Sequence, residues 1–293
     1  MYVDFHTHGK LAKYLPFSAE YTDWLLNEAK CAGLDAICLT EHFNTQQFDV
    51  LYSYIASRGT RQGDAYEIDG LKVFPGMETD IAEGGHVLCI GPMEAVQELN
   101  RRLEPYKAKG AFLPAASLME LFAEYPVLVG AGHPFREEGH IPELPMEILE
   151  QFDFLDLNGK DIALNRQQTE KLTDSLGEKL HKPVVAGSDT HQAVQYGCIR
   201  TCFQKSFDTF SELRQEMKAG HYTICVHPEA SFKVKTAGLL KRALKEIHAL
   251  GGDYISVLLR QGGESPAVLA AKEQAAGQFS IFCSRTLSES GTK

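Results

Sequence analysis

The sequence predicts an α/β fold built on a largely parallel sheet. Short apolar segments, polar turns and helical segments follow one another about seven times along residues 1–229. Such alternation is typical of parallel strands joined by helical crossovers. Histidines and acids stand at the ends of the apolar segments, which is where α/β barrels and open doubly wound sheets place their sites. The pattern alone fits both architectures.

The individual elements are predicted from periodicity and from turn residues. Apolar runs bounded by small or polar residues predict strands at 2–8, 35–39, 71–75, 86–91, 127–130, 154–157, 183–186, 198–203 and 223–226. Apolar residues at helical spacing predict helices at 19–33, 48–57, 94–103, 118–125, 146–151, 162–176 and 209–219. Gly33 and Gly220 mark the C-termini of two of these helices.

The pattern changes after residue 229, so we assign residues 1–229 to the barrel and 230–293 to a C-terminal α/β extension. Residues 239–250 predict an amphipathic helix with basic residues on its polar side. Residues 254–259, 266–276 and 279–283 predict a strand, a helix and a strand. We expect the extension to pack on the barrel or to mediate homo-oligomerisation.

Composition limits the partners and the compartment. The formal net charge of the 293-residue chain is -10, which disfavours long nucleic acids and anionic membranes as partners. The sequence has neither a leader peptide nor an apolar run of about 18 residues, so no membrane association is expected. The seven cysteines are scattered and form no C-x-x-C pair, which favours a reducing, cytoplasmic location.

Histidines and acids at successive strand ends predict a metal site. Successive side chains of a strand point to opposite faces, so Asp4, His6 and His8 share one face of the first strand. Two imidazoles on one face provide half of a metal site. The same residue types recur beside later strands, at His42, Glu78, His86, His133, Asp189 and His191. The repeated placement, rather than any single histidine, carries this prediction.

Five segments resemble, in order, the motifs of the PHP (polymerase and histidinol phosphatase) family. They are Asp4-Phe5-His6-Thr7-His8, Thr40-Glu41-His42, Gly76-Met77-Glu78, Gly132-His133-Pro134 and Gly187-Ser188-Asp189-Thr190-His191. The resemblance covers roughly residues 1–226. It implies a distorted (β/α)7 barrel, similar to a TIM barrel, with two or three divalent metal ions at its C-terminal mouth. It also implies the hydrolysis of phosphoric ester bonds.

The resemblance further implies a role for each ligand. His6, His8, Glu78 and Asp189 would hold one ion, Glu78 would bridge to a second ion held by His86 and His133, and His42 and His191 would hold a third. Many family members have another His or Asp shortly after the first motif, and this chain has none. Either the third ion is weak or absent, or Lys10 or Lys13 takes its space and binds substrate phosphate. Asp4 is expected to orient a ligating imidazole.

The expected reaction is the attack of water, made acidic by the metal ions, on phosphorus. Glu78 as the bridging ligand, and Asp189 and His191 as proton-transfer groups, are the predicted catalytic residues. Arg136 is predicted to clamp the phosphate, because a guanidinium binds phosphate through two hydrogen bonds. Ligands of mixed imidazole and carboxylate type suit zinc, manganese or iron.

The first functional hypothesis is the hydrolysis of a small phosphomonoester, as in a histidinol phosphatase. A phosphodiesterase or nuclease acting on a short nucleotide substrate is the second hypothesis, and a non-catalytic metal-binding regulatory module is the third. An amidohydrolase barrel also opens with His-x-His, but it usually has a carboxylated lysine or further histidines on later strands. The identity of the substrate, the identity of the metal and the oligomeric state are left open by the sequence.

Overall fold

A single continuous sheet forms the centre of the computed structural model, which describes residues 1–137 and 139–260. Its strands are β1 (Tyr2–Thr7), β2 (Ala36–Leu39), β3 (Thr60–Gln62), β4 (Ala65–Ile68), β5 (Leu71–Asp80), β6 (His86–Ile90), β7 (Leu128–Gly132), β8 (Phe154–Asn158), β9 (Val184–Gly187), β10 (Ile199–Phe203) and β11 (Tyr222–Val226). Their order across the sheet is β11-β10-β1-β2-β5-β6-β7-β8-β9, and the β3–β4 hairpin branches from β5.

The sheet is nearly closed because the chain leaving β9 meets the end of β1. The Asp189 N–H donates to the carbonyl of His6 at 2.7 Å, and the His8 N–H donates to the carbonyl of Thr190 at 3.0 Å. β1 therefore has β2 on one side, and on the other side it pairs with β10 at its start and with the chain after β9 at its end. The predicted barrel-like α/β fold is confirmed.

Helices connect many of the strands. They are α1 (Ala19–Cys31), α2 (Phe48–Arg58), α3 (Met93–Arg102), α4 (Ala115–Ala123), α5 (Met146–Leu149), α6 (Gly159–Leu180), α7 (Phe210–Ala219), α8 (Ala230–Ala249) and α9 (Tyr254–Leu259). Local signals fix several of their ends. The Thr209 side chain accepts from the Glu212 N–H, and the Glu212 side chain accepts from the Thr209 N–H, so that α7 begins with a capping box. α7 ends at Gly220, whose φ of 67° is readily adopted by glycine.

A buried apolar cluster lies between the strands and α7. Val3 and Phe5 of β1 belong to it, together with Phe154 of β8. Leu213 and Met217 of α7 pack into the same cluster. Burial of these side chains is the main favourable contribution to folding. It also fixes β1 and β8, two of the strands that carry polar residues into the site.

The sheet is mixed rather than largely parallel, which corrects the prediction from strand–helix alternation. β5 pairs with β6, and β6 with β7, in antiparallel fashion. β10 is antiparallel to both β1 and β11. The turn over residues 81–85 is too short for a helical crossover, which needs about a dozen residues. Gly84 and Gly85, with φ of 92° and 113°, allow the chain to reverse there.

Two short elements of the structure also differ from the prediction. The β3–β4 hairpin occupies a segment for which no strand was predicted, because its residues form no long apolar run. Residues 254–259 form a helix, not the predicted strand. Asp253 caps this helix, since its Oδ1 accepts from the N–H groups of Ile255 and Ser256 at 3.1 Å.

The chain divides into two compact units, Met1–Lys245 and Glu246–Lys293. The predicted elements at 266–276 and 279–283 lie outside the described residues. The predicted division into a barrel of residues 1–229 and an extension of residues 230–293 stays a prediction. Within the described ranges, no helix combines the length and the apolar character needed to span a bilayer.

Candidate metal centre

The eight predicted metal ligands lie together at the ends of the barrel strands. They form three groups, and within each group the ligand atoms lie within 4.8 Å of one another: His8, His42 and His191; His6, His8 and Asp189; and Glu78, His86 and His133. The first two groups share His8. The His8 ring stacks on His191 and on His42, with centroid separations of 4.0 and 4.4 Å. The sequence therefore predicted a set of residues that the fold does bring together.

Strand topology explains how a residue from the start of β6 joins residues that follow the ends of other strands. β5 is ten residues long and carries Glu78 near its C-terminal end. β6 returns antiparallel, and its first residue, His86, pairs with Asp80. The short turn thus brings His86 to the end of the barrel that Glu78 faces.

The Glu78 carboxylate is at the centre of the cluster and is almost completely buried. Five imidazoles surround its two oxygens. Oε1 lies 2.5 Å from His86 Nδ1, 3.2 Å from His133 Nε2 and 3.3 Å from His6 Nε2, while Oε2 lies 2.8 Å from His42 Nδ1 and 3.5 Å from His8 Nε2. The carboxylate thus lies within 3.5 Å of imidazoles from all three groups, which is the arrangement that a carboxylate shared between ions requires.

The atoms of the cluster are those that a bound cation would satisfy. Several are buried and make no hydrogen bond within residues 1–137 and 139–260, namely His6 Nε2, both ring nitrogens of His8, His42 Nδ1 and Glu78 Oε2. Buried polar atoms normally have partners, and leaving one without a partner costs about 1–3 kcal/mol. Imidazole nitrogens and carboxylate oxygens are the usual ligands of zinc and other first-row metals. The residues present fit a metal cluster.

Charges within the cluster keep its carboxylates ionised. Burial alone would raise the pKa of Glu78, but the charges of His86, His6 and His42 bring that pKa well below its ordinary value. Burial would likewise raise the pKa of Asp189, whereas Lys160 and Arg136 lower it well below the ordinary range. Both groups are therefore anions at neutral pH, which is the form that binds metal.

The histidines fall into two electrostatic classes. Burial lowers the pKa of His133 to about 4, with a further contribution from Arg136, and it lowers the pKa of His191 well below the usual value. These two rings are neutral at pH 7 and available as ligands. Burial opposes protonation of His86 as well, but Glu78 and Asp80 raise the pKa of His86 to about 10. Metal binding at this ring would therefore release a proton.

Two of the predicted ligands have strained backbone geometry. His133 and Asp189 have φ of 31° and 57°, in the left-handed region that residues other than glycine seldom adopt. Such conformations persist where the surrounding structure fixes them, and they are concentrated at functional sites. Both residues stand just after strands, in the chain that follows β7 and β9, and both belong to the candidate ligand groups.

Asp156 of β8, rather than Asp4, orients the first histidine. Its Oδ2 lies 2.9 Å from His6 Nδ1 and accepts from the His133 N–H at 3.2 Å. Asp4 accepts instead from the backbone N–H groups of His6 and Ser188, and burial raises the pKa of Asp4 to about 7. Asp156, which was not among the residues predicted for the site, thus has the role expected for Asp4. The sequence feature that could have indicated it is a single acid within the apolar strand of residues 154–158.

Arg136 is bound within the protein. Its guanidinium donates to Asp161 Oδ1 at 3.0 Å, to Asp189 Oδ2 at 2.8 Å and to Asn158 Oδ1 at 2.8 Å. The ammonium of Lys160 lies 2.8 Å from Asp189 Oδ1. Both cations therefore hold the Asp189 carboxylate, and the predicted phosphate clamp is at the edge of the cluster with part of its donor capacity already used.

The two lysines predicted as substrate contacts have different surroundings. Lys10 is buried, and its ammonium donates to Thr45 Oγ1 at 3.0 Å and to the carbonyl of Gln46 at 2.5 Å. Burial lowers the pKa of Lys10 to about 8. Lys13 is exposed, and its charge helps to lower the pKa of Asp80 against the effect of burial. Of the two, Lys13 has the ammonium that is open to a ligand.

Comparison with known proteins finds similar structures but no matching family model or curated sequence. PsfC from Pseudomonas syringae PB-5123 superposes with a TM-score of 0.67 at 22% identity, over 83% of this chain and 98% of PsfC. The lesion-specific endonuclease PfuEndoQ from Pyrococcus furiosus superposes with a TM-score of 0.55 at 19% identity, over 76% of this chain and 57% of its own. This chain thus spans little more than half the length of that endonuclease. At these identities the likeness establishes a shared fold.

Proposed function

We propose that this chain, which has the PHP-type fold indicated by its motifs, is a metal-dependent hydrolase of phosphoric esters acting on a small phosphomonoester. The observation that carries the proposal is the position of Glu78, whose two carboxylate oxygens face five imidazoles within 3.5 Å. A purely structural cluster of this kind would bury several polar atoms without partners at a considerable cost in stability.

The ligand roles follow from the three groups of side chains. His6, His8 and Asp189 would hold one ion, Glu78 with His86 and His133 a second, and His42 with His191 a third. His8 also lies in the group of the third ion, but a neutral imidazole has one lone pair to donate and would serve only one of the two. Divalent ions at such a site supply Lewis acidity and lower the pKa of water enough to provide a nucleophile near pH 7. Zinc, manganese and iron all suit this ligand set. Metal analysis of the purified protein would distinguish two bound ions from three.

The remaining residues of the site would position the ligands and the substrate. Asp156 fixes the orientation of His6, and Arg136 and Lys160 hold Asp189. Asp189 and His191 are the proposed proton-transfer groups, since they lie two residues apart at the same edge of the cluster. Lys160, which is about one-third exposed, and Lys13 have ammonium groups that a phosphate could reach.

A nuclease or phosphodiesterase is the second candidate, and the fold shared with the endonuclease PfuEndoQ favours it. The net charge of -10 argues against long nucleic acids, because such binding depends mainly on cationic contacts to phosphates. This chain also lacks a counterpart to a large part of that endonuclease. We therefore place the phosphomonoesterase first.

The test compares two model substrates on metal-loaded protein. We expect phosphate release from p-nitrophenyl phosphate and a reduction of at least ~100-fold in His8→Ala and in Asp189→Ala, because each change removes a ligand and the metal's contribution to catalysis. His221→Ala is the matched control, since the His221 ring is exposed, lies outside the candidate ligand groups and pairs with Glu216. Turnover of bis(p-nitrophenyl) phosphate without the monoester would favour the diesterase. No turnover of either substrate by fully metal-loaded protein would contradict both enzymatic functions.

A further inference from the structure

Helix α8 is fastened at its start to the loop that follows the ligands of β9. Ser231 Oγ donates to the carbonyl of Ala163 in α6 at 3.2 Å. The Lys233 ammonium donates to the carbonyls of Val194 and Tyr196 at 3.3 and 3.1 Å. These two carbonyls come shortly after His191 in the chain, so the first turns of α8 lie beside that ligand loop.

Further along, the same helix reaches the loop that follows the ligands of β1. The Lys245 ammonium is 5.3 Å from the centroid of the Tyr14 ring, within the range of a cation–π contact. Lys233 and Lys245 are twelve residues apart, which corresponds to about 18 Å of helix. Between its two contacts, α8 therefore passes from the loop after β9 to the loop after β1.

Lys241 lies on this bridging stretch and on its inward side. Ala237, one turn earlier, is buried, and Lys245, one turn later, faces Tyr14. Residues four apart share a helix face. Lys241 is itself partly buried. Its side chain is thus held on the side of α8 that faces the metal ligands.

The charges around Lys241 belong to the metal centre and to α8 itself. Burial is the largest cause that lowers the pKa of Lys241 to about 7; the charges of Lys160 and Lys245 also lower it, whereas those of Asp189 and Glu41 raise it. Lys241 in turn contributes to the lowered pKa of His191. Within residues 1–137 and 139–260, its ammonium has no hydrogen-bond or ion-pair partner. A partly buried lysine beside a second lysine and without a paired acid has the surroundings of an anion site, because a bound anion would favour its protonated form.

We propose that Lys241 is a substrate-binding residue whose ammonium contacts the oxygens of the transferred phosphoryl group, together with Lys160. This rests on the proposed phosphoesterase function. From the sequence, Lys10 and Lys13 are the cations expected in this part of the site. The Lys10 ammonium is bound to Thr45 and Gln46, and α8 supplies a cation from an element outside the strands of the barrel.

The test measures the binding of inorganic phosphate to the metal-loaded full-length protein by calorimetry. For Lys241→Met we expect a phosphate Kd and a KM for p-nitrophenyl phosphate that rise on the order of 10- to 100-fold, as for the loss of one charged hydrogen bond. The metal content should stay that of the wild type. Arg242→Met is the matched control, because it removes one positive charge from the exposed side of the same helix. Lys241→Arg should retain most of the affinity.

Lys241→Met with the phosphate affinity and KM of the wild type would overturn the proposal. So would a wild-type protein that binds no phosphate, or a Lys241→Met variant that loses its metal, since a structural role would then explain the change. The proposed function is judged separately by wild-type turnover. A wild-type protein that binds phosphate through Lys241 but hydrolyses no ester would contradict only that function.

Discussion

The Nδ1 atom of His6 lies 2.9 Å from Oδ2 of Asp156, and both side chains are inaccessible to solvent. The same oxygen accepts from Asn158 Nδ2 at 2.9 Å, so its position is fixed. Because Nδ1 is occupied by this contact, His6 presents Nε2 to the cluster, 3.3 Å from Glu78 Oε1. A carboxylate of this kind sets the orientation and the basicity of a ligating imidazole.

Asp156→Asn should therefore weaken metal binding on the order of 10- to 100-fold without removing a ligand. Competition with a chelator of known affinity would measure the change. Asp174→Asn is the matched control, because Asp174 is exposed on α6. Equal metal affinity in wild type and Asp156→Asn would show that His6 does not depend on this contact.

In Arg136→Met, the free energy of unfolding of the metal-free protein should depend less on pH in the acid range than it does in the wild type. In the wild type, burial and the charges of Lys160 and Arg136 act on Asp189, and the net effect is a pKa well below the ordinary 3.8. A lowered carboxyl pKa stabilises the folded state above the pKa of the unfolded chain, and this contribution is lost as pH falls through the folded pKa. Removing Arg136 raises the folded pKa.

Denaturant unfolding should thus give a free energy of unfolding lower by ~3 kcal/mol in Arg136→Met at pH 7, as for breaking a buried ion pair. The difference should shrink toward pH 3. Arg166→Met is the control, since Arg166 forms an exposed pair with Glu170 that contributes little. A difference that stays constant between pH 7 and pH 3 would assign the effect of Arg136 to its packing.

Gly187→Ala should disturb the site through steric overlap. An added Cβ would lie 2.5 Å from the Cβ of His6 and in closer conflict with Asp156 Oδ1. His6 Cβ is next to the backbone, and the Asp156 carboxylate is held through its Oδ2 by His6, His133 and Asn158, so neither can move aside easily. The strands must therefore shift, and we expect a loss of about 1–3 kcal/mol in stability together with weaker metal binding.

Thermal unfolding and metal titration would measure both effects of Gly187→Ala. Gly238→Ala provides the control, because its added Cβ meets no described atom within 4 Å on the exposed side of α8. That change should stabilise the protein by about 0.5–1 kcal/mol, since alanine is favoured over glycine in a helix. A Gly187→Ala protein with unchanged metal affinity would contradict the close packing of β9 against His6.

The ligands could be predicted from the sequence because each stands next to an apolar strand. His42 and His133 are examples, and their meeting depends only on a barrel being formed. The direction of β6 could not be predicted from alternation, although the short turn with Gly84 and Gly85 indicates a hairpin. Residues that act through other residues, such as Asp156, have no motif of their own.

The position of α8 relative to the strands of the barrel could not be predicted from the sequence either. Lys241 is one of several lysines on an amphipathic helix, and nothing in the local pattern separates it from a solvated surface lysine. Its position depends on the path of α8, which is fixed by contacts such as that of Lys233 with distant carbonyls. The helical state of residues 254–259 did have a signal in Asp253, a favoured N-cap residue.

The most direct test of the metal-dependent phosphoesterase is a titration of metal-free protein with manganese or zinc, followed by p-nitrophenol release and by the metal bound per chain. We expect no activity without metal, activity that rises with occupancy to two or three ions, and neither full occupancy nor activity in Glu78→Ala. Full activity in the metal-free protein, or full occupancy and wild-type turnover in Glu78→Ala, would contradict the account.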